Sequence, residues 1–206
     1  GPTKVQFRDI RLKRLKMEDR KKVVFLAGSK SHGYMSHGHN PGCLLLAKHL
    51  NEGLPNVHAV VYKDARWHED PTALDNADTV VAFSDGQGGH VLMRHLERVD
   101  RILKKGVGLV LLHYAVEPVG EKKREEGGAY FLEWVGGFYE KWYSVNPFFK
   151  ADFKSLHDHP IARGVKPFAI DDEWYFNMRF AEDMLGVTPI LTAVPPDEVR
   201  DRPDDA

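Results

Sequence analysis

Apolar residues in the first half of the chain gather into four short runs. They are Lys22-Val23-Val24-Phe25-Leu26-Ala27, Val57-His58-Ala59-Val60-Val61-Tyr62, Thr79-Val80-Val81-Ala82-Phe83 and 107–112. Near-continuous apolar runs of this length predict strands buried on both faces. Helical patterns lie between them. Residues 42–50 have helical composition and stop near Gly53, and Asp70-Pro71 reads as an N-cap followed by proline at the first helical position of a short helix. Over 90–105, Leu92, Leu96, Val99 and Leu103 form one stripe, closed by Gly106. A βαβα order implies a mostly parallel sheet covered on both faces, with its site beyond the carboxyl ends of the strands. Those ends are the loops 28–40, 84–90 and 113–117. From Gly127 onward the pattern is less regular and aromatic-rich, as expected of an α+β part.

Composition narrows the function class. Hydrophobic residues make up 42% of 206 and charged residues 29%, enough apolar material for one full-sized core. Lys+Arg 29 against Asp+Glu 30 leaves a net charge of −1, so no global basic field exists to hold nucleic acid. Apolar runs are far shorter than the ~20 residues of a membrane span, so neither nucleic acid nor membrane is expected as a partner. The single cysteine, Cys43, excludes an internal disulfide framework and a Cys-rich zinc module, and its place among leucines makes it a core residue. Residues 1–21 form a basic arm ahead of a 22–196 domain, and 197–206 read as an acidic loop. The chain is expected to continue beyond Ala206. Periplasmic, secreted and cytoplasmic settings all stay open, as does homo-oligomerisation.

Most nucleotide and hydrolase motifs fail on chemistry. Gly28-Ser29-Lys30-Ser31-His32-Gly33 has the glycine spacing of a phosphate loop, but Tyr34 stands where lysine is required. Gly86-Gln87-Gly88-Gly89 lacks the third glycine of a dinucleotide fingerprint, so no nucleotide cofactor is expected. Neither a serine-hydrolase elbow nor a zincin helix motif occurs. Histidines remain. Of 11, His32, His37, His39, His90 and His113 fall on the predicted carboxyl-end loops. Imidazole serves both as acid/base and as metal ligand. With His157-Asp158-His159 and Asp171-Asp172-Glu173, a mixed His/carboxylate set suits a borderline divalent ion such as zinc or manganese. The aromatic stretch 130–149, with Trp134, Tyr139, Trp142 and Tyr143, fits core packing or stacking on sugar rings.

Four segments, taken in order, resemble the ThuA-like (trehalose utilisation) family. They are Gly106-Val107-Gly108-Leu109-Val110-Leu111-Leu112-His113-Tyr114-Ala115, Trp134-Val135-Gly136-Gly137, His159-Pro160-Ile161-Ala162-Arg163-Gly164-Val165 and Asp172-Glu173-Trp174-Tyr175. The resemblance implies the flavodoxin-like three-layer fold of the class I glutamine amidotransferase superfamily over residues 22–196. Where amidotransferases of that superfamily carry a nucleophilic cysteine, this chain has His113, so cysteine-based glutamine hydrolysis is excluded. The resemblance also implies a role in carbohydrate catabolism, particularly of oxidised (keto) disaccharides.

The expectation is therefore an enzyme acting on a small carbohydrate by His/carboxylate proton transfer, with metal assistance open. His113 would be a general acid/base or a metal ligand, Glu173 a carboxylate base or ligand, and His159 the residue that orients it. His32 and His37 would be metal ligands with His113, or hydrogen-bond partners of the substrate. Tyr114, Trp142 and Tyr175 would bind the sugar. A non-catalytic carbohydrate-binding module on the same fold is the competing reading, and a structural protein whose histidines only order loops is a third.

Overall fold

The structure, a computed structural model, describes residues 8–9, 17–34, 36–119 and 127–200. Most of the basic arm (1–7 and 10–16) and the end of the acidic loop (201–206) lie outside the described residues. Strands β1 (Lys21–Ala27), β2 (Val57–Tyr62), β3 (Thr79–Phe83) and β4 (Gly108–Leu112) form one parallel sheet in the order β2-β1-β3-β4. The apolar runs thus become the strands predicted. Long crossovers let the strands run parallel, with a helix between β1 and β2 and between β3 and β4, and a 3₁₀ turn followed by further turns between β2 and β3.

Alternation along each strand divides the core in two. Val24, Leu26, Val80 and Ala82 point to one face and pack with Trp67, Leu92 and Val99. Phe25, Ala27 and Val81 point to the other and pack with Cys43 and Ala47 of α1 (His39–Gly53). The second face is covered by α1, and α2 (Leu96–Leu103) covers the first, giving the three layers of a flavodoxin-like sandwich. After α3 (Gly127–Val135) the chain forms two small antiparallel pairs. In one, β5 (Gly137–Phe138) pairs with β8 (Arg179–Phe180). In the other, β6 (Phe148–Phe153) pairs with β7 (Phe168–Glu173). Residues Asp197–Arg200 form a short helix, α4, where a loop was expected.

Two predicted helices are cut down. The segment after Asp70 closes as successive turns. Asp70 Oδ1 accepts from the Thr72 amide at 2.8 Å, and the Lys22 ammonium draws the Ala73 and Asp75 carbonyls to itself. The helix expected from residue 90 begins only at Leu96, after a 3₁₀ turn at Met93–His95. His90 in this stretch is buried, its Nδ1 accepting from the Leu92 amide at 3.0 Å and its Nε2 donating to the Ala115 carbonyl at 2.8 Å, which ties the stretch to the turn after β4.

His90 is therefore a structural histidine, and it sets a pH dependence. Burial pushes its imidazole down from 6.5 to about 4, against the opposing hydrogen bond to Ala115. A histidine depressed in the fold binds its proton more readily when unfolded. Its contribution is complete above about pH 6.5 and is lost as the pH falls toward 4. The loss is worth roughly 3 kcal/mol. Denaturant unfolding across that window should show the decline, and His90→Gln, which has no proton to gain, should flatten it.

Candidate functional site

Loops from the carboxyl ends of β1, β3 and β4 meet at one place. In the loop after β1, Ser31 and His37 form an isolated antiparallel bridge that pinches the chain and brings the His32 and His37 rings to 3.9 Å between centroids. Asp85, two residues past the end of β3, receives His37 Nδ1 at 2.7 Å and has His32 Nδ1 at 3.5 Å. Burial alone would raise the Asp85 carboxyl. Hydrogen bonds from Ser31 and His37, with the nearby imidazoles of His39 and His37, outweigh it and hold the group below the usual range.

His113 follows β4 directly, at the head of a 3₁₀ turn, with φ 54. Left-handed backbone at a residue with a β-carbon costs about 1–3 kcal/mol and gathers at functional sites. Four of the eleven such residues among those described are at this site, namely His32 (φ 56), Gln87 (φ 49), His113 and Trp142 (φ 69). His113 Nε2 lies 3.3 Å from His37 Nε2, so one of these nitrogens donates and the other accepts. On its other edge, His113 Nδ1 lies 3.2 Å from the Tyr175 hydroxyl. Burial, helped by the neighbouring His37 and His39 and opposed by Glu173 and Asp172, holds the His113 imidazole below its ordinary value.

The β6–β7 ribbon supplies the carboxylate. Phe153 packs on Phe168 and Trp174 at 5.0 and 5.3 Å and anchors the ribbon, whose register pairs Phe148 with Glu173 at its end. Glu173 Oε1 accepts from Asn146 Nδ2 at 2.7 Å. Its Oε2 stands 3.4 Å from the Tyr175 hydroxyl and 3.6 Å from His113 Nε2. Burial, then the adjacent Glu173, pushes the Tyr175 phenol far up, while burial, with Glu117 nearby, raises Tyr139 to about 12. Both phenols are therefore neutral hydrogen-bond donors.

These groups border a cavity of about 420 Å³. His32, His37, Glu173 and Tyr175 line it with the rings of Tyr114 and Tyr139, and Gln87, Glu117, Lys141 and Asn146 add polar groups. Trp142 stands at the rim, half exposed, with the Lys141 ammonium 4.8 Å from its ring centre. Glu117 is buried, accepts from the Gln87 amide, and is pushed up by that burial. Packing beneath the cavity is tight, since a β-carbon on Gly86 would come within 2.7 Å of the Tyr114 ring and 2.8 Å of Glu117 Cβ. A few convergent polar groups amid aromatic faces make a pocket suited to a small polyhydroxylated molecule.

Of the predicted site residues, the structure brings His32, His37, Tyr114, Trp142, Glu173 and Tyr175 together around the cavity. His113 touches three of them, without lining the cavity itself. It meets His37 at the ring nitrogen opposite the one that meets Asp85. His159 is not among the residues lining this cavity. Its Nδ1 accepts from the Ile161 amide at 3.2 Å, capping the 3₁₀ turn at Pro160–Ala162, and it borders a separate depression with His157 and Arg163. Asn146 orients Glu173 instead. Asp85, Glu117, Gln87, Lys141 and Asn146 were not anticipated. For Asp85 a signal was available, a carboxylate two residues beyond a predicted strand end. For Glu117 and Asn146 nothing in the sequence stands out.

A parallel sheet with helices on both faces, and the candidate site beyond the carboxyl ends of its strands, defines a flavodoxin-like α/β sandwich protein. Within that class the chain belongs to the ThuA family, the family of trehalose utilisation, which it matches over residues 22–202. Among solved structures it is similar to a ThuA-like protein from Bacteroides uniformis ATCC 8492, with 14% identity and a TM-score of 0.49, over 81% of this chain. The chain spans 64% of the length of that protein. None of the curated proteins compared matches the chain. No helix among the described residues is long and apolar enough to cross a membrane.

Proposed function

We propose that the protein acts on an oxidised (keto) disaccharide or related keto-sugar, moving a proton at the carbon next to the carbonyl. One observation carries this reading. Glu173 and the Tyr175 hydroxyl stand side by side at 3.4 Å on the lining of an aromatic-bearing cavity, with His113 Nδ1 3.2 Å from the hydroxyl and His113 Nε2 3.6 Å from the carboxylate. A carbonyl makes the adjacent C–H acidic enough for a carboxylate base, which an unoxidised sugar does not.

In the proposed reaction the Glu173 carboxylate takes that proton, and the C–H electron pair forms a carbon–carbon double bond as the carbonyl π pair moves to oxygen. Tyr175 donates a hydrogen bond to that oxygen where charge develops. Where the deprotonated carbon bears a hydroxyl, that hydroxyl's proton passes to the enolate oxygen as its O–H pair forms the new carbonyl, and the double-bond pair takes the proton back from Glu173 at the former carbonyl carbon, which completes an isomerisation. Alternatively, the pair expels a β-oxygen, and Glu117, whose burial favours the neutral acid, protonates the leaving group. Tyr114, Tyr139 and Trp142 offer ring faces for the sugar. His113 acts through Glu173 and Tyr175, as a positioning residue.

The test is incubation of the protein with a panel of disaccharides and their keto derivatives, following products by mass spectrometry and binding by calorimetry. Turnover restricted to keto-sugars is expected. Saturable binding with no product from any of them would refute the reading in favour of a carbohydrate-binding module.

A further inference from the structure

His39 stands at the first position of α1 and is 2% exposed. Its Nδ1 lies 2.9 Å from the Ser29 carbonyl oxygen, which can only accept, so Nδ1 carries the proton and Nε2 is left with a bare lone pair. That Nε2 is buried with no hydrogen-bond partner. Asp85 Oδ1 lies 3.7 Å from it and is itself an acceptor. A buried lone pair facing a partly buried carboxylate oxygen calls for a positive centre between them.

The same carboxylate oxygen gathers two more imidazoles, His37 Nδ1 at 2.7 Å and His32 Nδ1 at 3.5 Å. The ligand atoms of His32, His37 and Asp85 all lie within 4.8 Å of one another. A tetrahedral zinc ion bound at its usual distances holds its ligand atoms roughly 3.4 Å apart. The contacts of Asp85 to His32 and His39 are close to that value, and the contact to His37 needs only to lengthen as the hydrogen bond gives way to ligation. We infer that His32, His37, His39 and Asp85 form a binding site for a divalent transition-metal ion of the zinc class.

The surroundings agree with the assignment. Metal-bound histidines hand their second nitrogen to a fixed acceptor, and His39 does so to the Ser29 carbonyl. When His37 ligates through Nδ1, its Nε2–H faces His113 Nε2 at 3.3 Å, which can accept it. Space around His39 is close-fitting, since a β-carbon on Gly28 would stand 3.0 Å from His39 Nδ1. Imidazoles with one carboxylate suit zinc and its first-row neighbours. Thiolate ligation plays no part, because Cys43 is buried in the core beneath the sheet. This ligand set replaces His113 of the sequence expectation with His39 and Asp85. It stands on these side chains whether or not a sugar is turned over.

Binding of metal alone provides the test. The protein, prepared without chelator or polyhistidine tag, is titrated with Zn²⁺, and its metal content is measured after gel filtration. Co²⁺ then reports coordination by its visible absorption. One equivalent per chain is expected, with a Co²⁺ spectrum of low coordination number. Asp85→Asn and His39→Gln should each weaken binding by about 100-fold or more, beyond the 10–100-fold typical of losing an outer partner. His32→Ala, on an exposed loop where folding is not at stake, should weaken it at least about 10-fold. Failure of the folded wild-type protein to hold Zn²⁺ or Co²⁺ would overturn the inference. Equal affinity in Asp85→Asn and His32→Ala would do so as well, and would shift attention to surface groups such as His157.

Discussion

Glu173→Gln should lower kcat on a keto-sugar by about 10²–10⁴-fold, the range spanned by loss of a general base, while KM changes little. The substitution keeps the size and shape of the side chain. Its remaining carbonyl oxygen can still accept from Asn146, which holds Glu173 Oε1 at 2.7 Å in the native protein. What it removes is the basic oxygen beside Tyr175 and His113, at 3.4 and 3.6 Å. Asp172→Asn makes the same change of charge one residue earlier. On a strand, successive side chains point to opposite faces, and Asp172 is exposed, with its Oδ1 bound to the Glu173 amide at 2.8 Å. Turnover in that control should be close to the wild type. Steady-state kinetics on the two variants separates the effect of one carboxylate from that of charge in the neighbourhood.

The largest expected loss of stability comes from Trp67→Ala. Trp67 is 1% exposed and sits in the core between the sheet and the turns that precede β3. Its indole N–H donates to the Val91 carbonyl at 2.9 Å in a buried setting, and the Arg98 guanidinium lies 4.8 Å from its ring centre. Truncation leaves a cavity costing about 3–5 kcal/mol and strips the Val91 carbonyl of its donor. Domains are stable by only about 5–15 kcal/mol, so most of the margin is removed. For a chain of this size the melting temperature should fall by roughly 10 °C or more. Trp67→Phe retains a ring and loses the hydrogen bond, and should cost a fraction of that. Because Trp67 lies outside the cavity, kcat of either variant well below its melting temperature should match the wild type. A thermal melt and one rate measurement check both parts.

The sheet was legible because strands of a parallel sheet are buried on both faces and read as unbroken apolar runs. Val57–Tyr62 and Thr79–Phe83 were bounded as they occur, and the three loops that carry the site followed from the strand order. The start of α2 was hidden, and nothing in the spelling of His90 says that its imidazole will bind the amide two residues on. Within the site, residues were legible as types and not as partners. Five histidines on the predicted loops were visible, but their division into a cavity pair (His32, His37), a backing residue (His113), a buried residue with one vacant nitrogen (His39) and a structural residue (His90) depends on geometry. Left-handed turns at His32 and His113, with φ 56 and 54, aim those rings, and no residue pattern announces them. Single acids such as Asp85 and Glu117 acquire meaning only from what the fold sets against them. His159 shows the reverse case, a motif residue whose side chain serves its own turn.

The central claim is that this cavity removes a proton from the carbon beside a sugar carbonyl. It is tested most directly by proton NMR of a keto-disaccharide in D₂O with and without the protein. The expected result is protein-dependent loss of a C–H signal next to the carbonyl as deuterium enters, suppressed in Glu173→Gln. Binding of the keto-sugar with every C–H signal retained, or exchange equally fast in Glu173→Gln, would contradict it.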